Sequence, residues 1–230
     1  MTNAAVILSG SGVYDGSEIH EAVSLLLNLA RNNARYQCFA PDKPQMHVVD
    51  HRTGNEASSE PRNALTEAAR IARGDIKPLS DLNPDHFDAL AAPGGFGAAK
   101  NLCTFATEGP DCTVDPEVER VFRAFHEQRK PIAVCCIAPV IPAKLFGKDA
   151  GGNGCEVTIG NDPDTAAAIH AMGSTNIEKP VNEAHTDTAN LIVSAPAYMY
   201  GDAPIHQVEQ GIAAMVTETL RLAEPAPQKA

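Results

Sequence analysis

The stretch PIAVCCIAPV, residues 131–140, joins a strand-like apolar run to two adjacent cysteines. An uninterrupted apolar run of this length is typical of a strand that is covered on both faces of a parallel sheet. A cysteine at the tight turn after such a strand points into the space above the sheet, where the start of the next helix favours a thiolate. Cys135 prolongs the strand, whereas a small residue and Pro139 follow Cys136, so the register favours Cys136 as a nucleophile. The alternative is that both thiols are small buried hydrophobic groups, as free cysteines commonly are.

Short apolar runs alternate with segments of helical period along the rest of the chain. The predicted strands are 4–10, 36–42, 87–95, 131–136, 156–160 and 190–196, and the main predicted helices are 17–33, 61–73, 116–130, 162–173 and 204–223. This alternation predicts an α/β fold whose mostly parallel sheet carries helices on both faces. No repeat or linker divides the chain, so we expect a single domain over residues 1–223 and a disordered tail over residues 224–230.

Composition restricts the possible partners and the compartment. The 230 residues carry a net charge of −11 at pH 7 and no basic cluster, which argues against nucleic acid and membranes as partners. The chain begins MTNAAVILSG, a pattern from which no signal or transit peptide is expected. Its six cysteines lack the spacing of zinc ligands, so we predict free thiols, no metal and a cytoplasmic protein.

Three of the predicted strand ends carry unusual loops, at residues 9–18, 92–101 and 135–140. Ligands bind at the carboxyl ends of the strands in open parallel sheets, so the three loops are expected to form one site. Backbone N–H groups of Gly94 and Gly95, with that of Ile137, could bind an oxyanion. The alternative for the two glycines is an ordinary turn.

No cofactor is predicted, because the stretch GSGVYDG (10–16) places its third glycine one position too late for a dinucleotide fingerprint. None of the eight histidines has a motif that marks it as a catalytic base. His185, shortly before the last strand, is the one proposed for a test as a missing base.

Glu18 opens the first predicted helix, and two roles compete for it. It could complete a capping box with Asp15 as N-cap, or its carboxyl group could reach the thiol and transfer a proton. Its neighbours His20 and Glu21 are expected to point elsewhere, as supporting or surface groups. The predicted buried face of this helix consists of Ile19, Ala22, Val23, Leu26, Leu27 and Ala30.

Seven stretches together resemble the ElbB family, proteins with an amidotransferase-like domain that are described as isoprenoid-biosynthesis proteins and as glyoxalases. These stretches are VILSGSGVYDGSEIHEA, CFAPDK, TEAARIARGDIKPL, PGGFGAAKNL, CIAP, VTIGND and SAPAYM, in collinear order over about residues 4 to 200. The wider superfamily contains PfpI-type peptidases and class I glutamine-amidotransferase-like domains. The resemblance implies a flavodoxin-like three-layer sandwich, a nucleophile elbow at Cys136, a catalytic Glu18, an oxyanion turn at Gly94 and Gly95, and a homodimer.

One departure from the superfamily pattern affects the predicted chemistry. PfpI-type peptidases place a histidine directly after the nucleophile, where this chain has Ile137. Without it a leaving amine lacks an obvious general acid, so amide hydrolysis is not favoured. The resemblance then implies a slow, cofactor-independent glyoxalase III-type lyase of the hydro-lyase class. Such an enzyme converts the small dicarbonyls glyoxal or methylglyoxal to glycolate or lactate through a hemithioacetal on Cys136.

Two other functions remain open at this point. Cys136 could act in a non-catalytic or regulatory protein that senses oxidants or electrophiles, in which case a thiolate of low pKa would be oxidised to a sulfenic acid. Cys135 could take a secondary part, although vicinal cysteines close a disulfide ring with difficulty. The family name also suggests an amidohydrolase or an accessory factor in isoprenoid metabolism, which no residue here supports.

Overall fold

The computed structural model describes residues 1–57 and 61–224, and in these ranges helices alternate with strands. The strands are β1 (Asn3–Ile7), β2 (Arg35–Ala40), β3 (Val49–Asp50), β4 (Asn55–Glu56), β5 (Ile76–Pro78), β6 (Ala89–Ala92), β7 (Ile132–Cys135), β8 (Glu156–Val157), β9 (Thr175–Asn176), β10 (His185–Asp187) and β11 (Ile192–Ala195). The helices are α1 (Ile19–Arg31), α2 (Ala64–Ile71), α3 (Phe96–Lys100), α4 (Phe105–Glu108), α5 (Pro116–Glu127), α6 (Val140–Phe146), α7 (Pro163–Ala171) and α8 (Ile205–Ala223).

A seven-stranded sheet forms the centre of the described part of the chain, in the order β10-β11-β7-β6-β1-β2-β5. Only β10 runs antiparallel to its neighbour within this sheet. Alternate residues of β7 enter different hydrophobic clusters, Ile132 and Val134 on one face and Ala133 and Cys135 on the other. Helix α5 covers the first face, and α1 and α8 pack together over the second. The predicted α/β sandwich with a mostly parallel sheet is confirmed.

One detail of the predicted architecture needs correction, and another lies partly outside the described residues. The predicted strand 156–160 is shorter in the structure, where only β8 is a strand, and β8 pairs with β9 in a separate two-stranded sheet. The strand ends at Val157 because the Thr158 N–H donates to the Ser194 side chain. Residues 225–230 of the predicted tail lie outside the described residues. No helix within the described ranges is long and apolar enough to span a membrane.

The buried face of α1 differs from the predicted one. Ile19, Val23 and Leu27 lie on an exposed stripe, with 45%, 49% and 41% of their surface accessible. Ala22 and Leu26 of the predicted face are buried, and the helix also buries Leu25 and Leu29 of the adjacent stripe. Both stripes are apolar, so periodicity could not decide which of them faces the sheet. Because α1 places this second stripe against the sheet, Glu21 points inward, towards the site.

Candidate active site

Cys136 occupies a sharp turn immediately after β7. Its backbone is left-handed, with φ of +57°, a conformation that costs a residue with a side chain about 1–2 kcal/mol. Two hydrogen bonds hold the turn: the Cys136 N–H donates to the Ala195 carbonyl and the Ala138 N–H to the Cys135 carbonyl, each at 3.0 Å. The cysteine is 8% exposed. A strained residue of this kind at a strand end has the geometry of a nucleophile elbow.

A cavity of about 480 Å³ opens at the carboxyl ends of the strands, and all three predicted loops contribute to its wall. Glu18 comes from the first loop, Gly95 from the second, and Cys136 and Ile137 from the third. The structure therefore brings these four predicted site residues together. Gly94 lies behind the thiol rather than in the wall of the cavity.

The Gly94–Gly95 turn is possible only without side chains. A Cβ atom at Gly94 would lie 2.4 Å from the Cys136 Cβ and 2.8 Å from Oε2 of Glu21. At Gly95, where φ is +90°, it would lie 2.3 Å from the Glu18 nitrogen. The Gly94 N–H donates to Glu21, so it is not available to an oxyanion. Burial raises the pKa of the Cys136 thiol, and the Gly95 and Ile137 amides, which interact with its sulfur, offset only part of this rise.

Glu21 is a completely buried carboxyl group beneath the two thiols. It accepts hydrogen bonds from the Gly94 N–H at 3.0 Å and the Tyr198 N–H at 3.2 Å, and the Cys135 thiol donates to it at 3.9 Å. Burial, followed by the charge of Glu18, raises the pKa of Glu21 to about 8. The prediction that Glu21 points away from the site is therefore wrong. The two apolar stripes of α1 left open which side of the helix faces the sheet, so the sequence carried no decisive signal for Glu21.

Both adjacent thiols have a raised pKa, and burial is the largest cause in each case. The charge of the Glu21 carboxylate is the second cause for both. Because Glu21 keeps its proton up to a pH of about 8, this repulsion acts only at higher pH. Cys135 has no exposed surface and lies outside the cavity wall, so only Cys136 meets the cavity.

Glu18 contributes to the start of α1, but not through the predicted capping box. It caps α1 itself, because its Oε2 accepts the Glu21 N–H at 2.7 Å. Asp15 is not the N-cap; its carboxylate accepts the Val49 N–H instead. The Glu18 side chain also lines the cavity. His20 lies at the rim, with Nδ1 3.1 Å from the Tyr198 hydroxyl and 3.9 Å from Oε1 of Glu18.

His185 is not brought to the cavity. It lies on the edge strand β10 with Nε2 3.1 Å from the Glu156 carboxylate. No histidine lines the cavity among the residues that the structure describes. Within the same ranges no group of three or more histidine, cysteine, aspartate or glutamate side chains is arranged to hold a metal ion.

Comparison with known proteins relates this geometry to a family. The chain is 50% identical over 227 residues to the human protein "Glutamine amidotransferase-like class 1 domain-containing protein 3, mitochondrial", covering 95% of this chain and 82% of the relative. It is 48% identical to the rat "ES1 protein homolog, mitochondrial", covering 95% and 83% of the two chains. No model of a protein family matches the chain.

One solved structure supports the same relationship, and a second shares the fold alone. The Ehrlichia chaffeensis isoprenoid biosynthesis protein with amidotransferase-like domain superposes with a TM-score of 0.89 at 37% identity, over 97% of this chain and 100% of the other. A DJ-1 superfamily protein from Agrobacterium tumefaciens shares the fold, with a TM-score of 0.54 at 16% identity over 96% and 89% of the chains.

These relatives correct one prediction and confirm another at a coarser level. The human and rat relatives are both mitochondrial proteins by name, so the prediction of a cytoplasmic protein is wrong. The resemblance seen in the sequence is confirmed at the level of an amidotransferase-like domain. The chain belongs to the family of glutamine amidotransferase-like class 1 domain proteins that includes the ES1 protein homologues.

Proposed function

We propose that this protein is a cofactor-independent glyoxalase of the glyoxalase III type, a lyase that converts glyoxal or methylglyoxal to glycolate or lactate. One observation carries the proposal: Cys136 meets the cavity at a strained turn, with one carboxyl group beneath it and another in the cavity wall. A thiol and two carboxyl groups suffice for this chemistry, since it transfers protons within one substrate and adds water.

The first step is the formation of the thiolate. A hydrogen bond and the charge of the carboxylate link Glu21 to Cys136, and we propose that the loss of one proton leaves a single proton shared between carboxyl and sulfur. When this proton lies on Glu21, the sulfur is the thiolate that attacks. The buried carboxyl group is thus proposed to control the charge of the nucleophile.

The second step forms a bond between Sγ and the aldehyde carbon and gives a hemithioacetal. Hydrogen bonds from the Gly95 and Ile137 amides stabilise the oxygen that gains charge. Glu18, the carboxylate in the cavity wall, takes the proton from this carbon and returns it to the neighbouring carbonyl carbon. The product is a thioester of a 2-hydroxy acid, in which one carbon is oxidised and the other reduced. Water then breaks the S–C bond and releases the acid.

One feature favours this function over amide hydrolysis. A leaving amine would need a general acid, and no histidine of the described residues lines the cavity. A dicarbonyl has no leaving amine.

The test is to measure glycolate from glyoxal with the wild type, Cys136→Ser and Cys135→Ser. Product has to be followed, because lysines and thiols also consume glyoxal as adducts. The proposal requires glycolate from the wild type and from Cys135→Ser, with none above background from Cys136→Ser. A wild type that makes no more glycolate than Cys136→Ser would exclude the glyoxalase function.

We also propose a homodimer formed through α1. The stripe of Ile19, Val23 and Leu27 exposes apolar surface on one helix face, which a second copy could cover. Sedimentation velocity should find a dimer that Leu27→Glu converts to a monomer. A monomeric wild type at micromolar concentration would refute this assembly.

A further inference from the structure

The proposed substrates are much smaller than the cavity in which they would react. Glyoxal consists of two linked aldehyde groups, whereas the cavity holds about 480 Å³, and cavities of roughly 300–1,000 Å³ bind ligands of drug size. We propose that the preferred substrate is a 2-oxoaldehyde with an uncharged apolar substituent of about the size of an aromatic ring. This inference rests on the proposed glyoxalase function.

The side chains around the cavity match such a substituent. Val13, Phe96, Phe105, Ile137 and Met199 all line it, and they come from separate loops and helices. An apolar group that fills this space removes its own surface and that of the wall from water. Glyoxal can contact only the polar end near Cys136 and leaves the remainder of the wall unused.

The charges at the cavity argue against an anionic substituent. Two acids, Glu18 and Asp162, and one base, Lys100, line it. The Lys100 ammonium already donates to the Tyr14 carbonyl at 3.0 Å and lies 5.3 Å from the centre of the Phe96 ring. A carboxylate or phosphate on the substrate would therefore meet an excess of negative charge and one engaged cation.

Phenylglyoxal is a suitable probe because its ring has the required size and no charge. The atoms balance as they do for glyoxal: Sγ adds to the aldehyde carbon, the proton of that carbon moves to the ketone carbon, and water releases mandelate. No oxidant or reductant takes part.

The experiment compares kcat/KM for mandelate formation from phenylglyoxal with that for glycolate formation from glyoxal. Initial rates of product formation are used, and the Cys136→Ser background is subtracted because phenylglyoxal also modifies arginine. We expect phenylglyoxal to exceed glyoxal by about tenfold or more, since even one methylene in an apolar pocket is worth roughly 10–200-fold. A phenylglyoxal that carries a ring carboxylate should fall well below phenylglyoxal.

A matched pair of variants tests the wall directly. Phe96 lines the cavity but is 49% exposed, so Phe96→Ala should lower the ratio of the two kcat/KM values by about three- to tenfold without removing core packing. Tyr36, an exposed aromatic residue on β2 outside the cavity wall, provides the control, and Tyr36→Ala should leave the ratio unchanged.

The outcomes separate the two proposals. Glycolate formation that equals or exceeds mandelate formation would overturn the inference about the substituent while the glyoxalase function stands. If neither product exceeds the Cys136→Ser background, the glyoxalase function itself fails.

Discussion

Two neighbouring strands end in the same unusual backbone conformation but use it differently. Cys136 follows β7 with φ of +57°, and Ala197 follows β11 with φ of +47°. At the first turn the strained residue presents its own side chain to the cavity. At the second the strain orients the next residue, whose N–H donates to Glu21 at 3.2 Å. Left-handed strain can therefore position either a reacting group or the backbone that supports it.

The largest effect on activity should come from replacing the thiol of Cys136 at the first turn. Cys136→Ser is expected to lower kcat for glycolate formation by roughly 10³-fold or more, because a hydroxyl has no accessible anion here. Cys135→Ser, one position earlier, should stay within about tenfold, because its thiol does not meet the cavity. Steady-state kinetics with product detection measure both. Equal losses in the two variants would contradict the assignment of Cys136.

The next largest effect on activity should come from Glu21, the carboxyl group that both turns contact. Loss of a proton from the Glu21–Cys136 pair precedes attack, so wild-type kcat/KM should rise with pH towards about 8, the pKa of Glu21. Glu21→Gln keeps the shape of the side chain and removes this ionisation. We expect it to lower kcat by about 10²-fold and to abolish the rise below pH 8.

Glu18→Gln serves as the comparison for the pH dependence of kcat/KM in Glu21→Gln. It removes the carboxylate proposed to move the carbon proton, so activity should fall while the ionisation of Glu21 remains. A pH profile that Glu21→Gln leaves unchanged would show that Glu21 does not control the thiol.

The ionisation of Glu21 should also change the free energy of unfolding, and this effect is smaller than the effect on activity. The folded protein keeps the Glu21 proton to a pH of about 8, while the unfolded chain loses it near 4.5. Between these values the folded state binds one proton more, so the free energy of unfolding falls as the pH rises, by up to about 1.4 kcal/mol per pH unit. Denaturant titrations at several pH values should show this slope in the wild type and a weaker one in Glu21→Gln. Parallel slopes would contradict a buried, protonated Glu21.

The smallest expected effect is a change in the free energy of unfolding that reports the backbone strain at Cys136 and Ala197. Glycine adopts positive φ without the steric cost that a Cβ atom adds. We therefore expect Cys136→Gly to be more stable than Cys136→Ala, and Ala197→Gly more stable than wild type, each by about 0.5–1 kcal/mol. Urea denaturation measures both differences. A gain at only one position would show that the two turns are not equally strained.

Much of the site could be predicted from the chain because its parts are local. An apolar run that ends in cysteine indicates the elbow, and the adjacent glycines Gly94 and Gly95 indicate the turn. Glu21 could not be assigned in this way. Its partners Gly94 and Tyr198 are 73 and 177 residues away in sequence, and the helix that carries it has two apolar stripes of similar strength.

The sequence by itself determined the α/β class and the parallel strands, because both depend on periodicity. It favoured Cys136 at the turn through its register, and the family resemblance implied the same residue. The tertiary structure decided which stripe of α1 faces the sheet and so whether Glu21 meets the thiols. It also decided the size of the cavity, since the wall combines side chains from distant segments. Burial raises the pKa of Glu21 only once those segments exclude water from it.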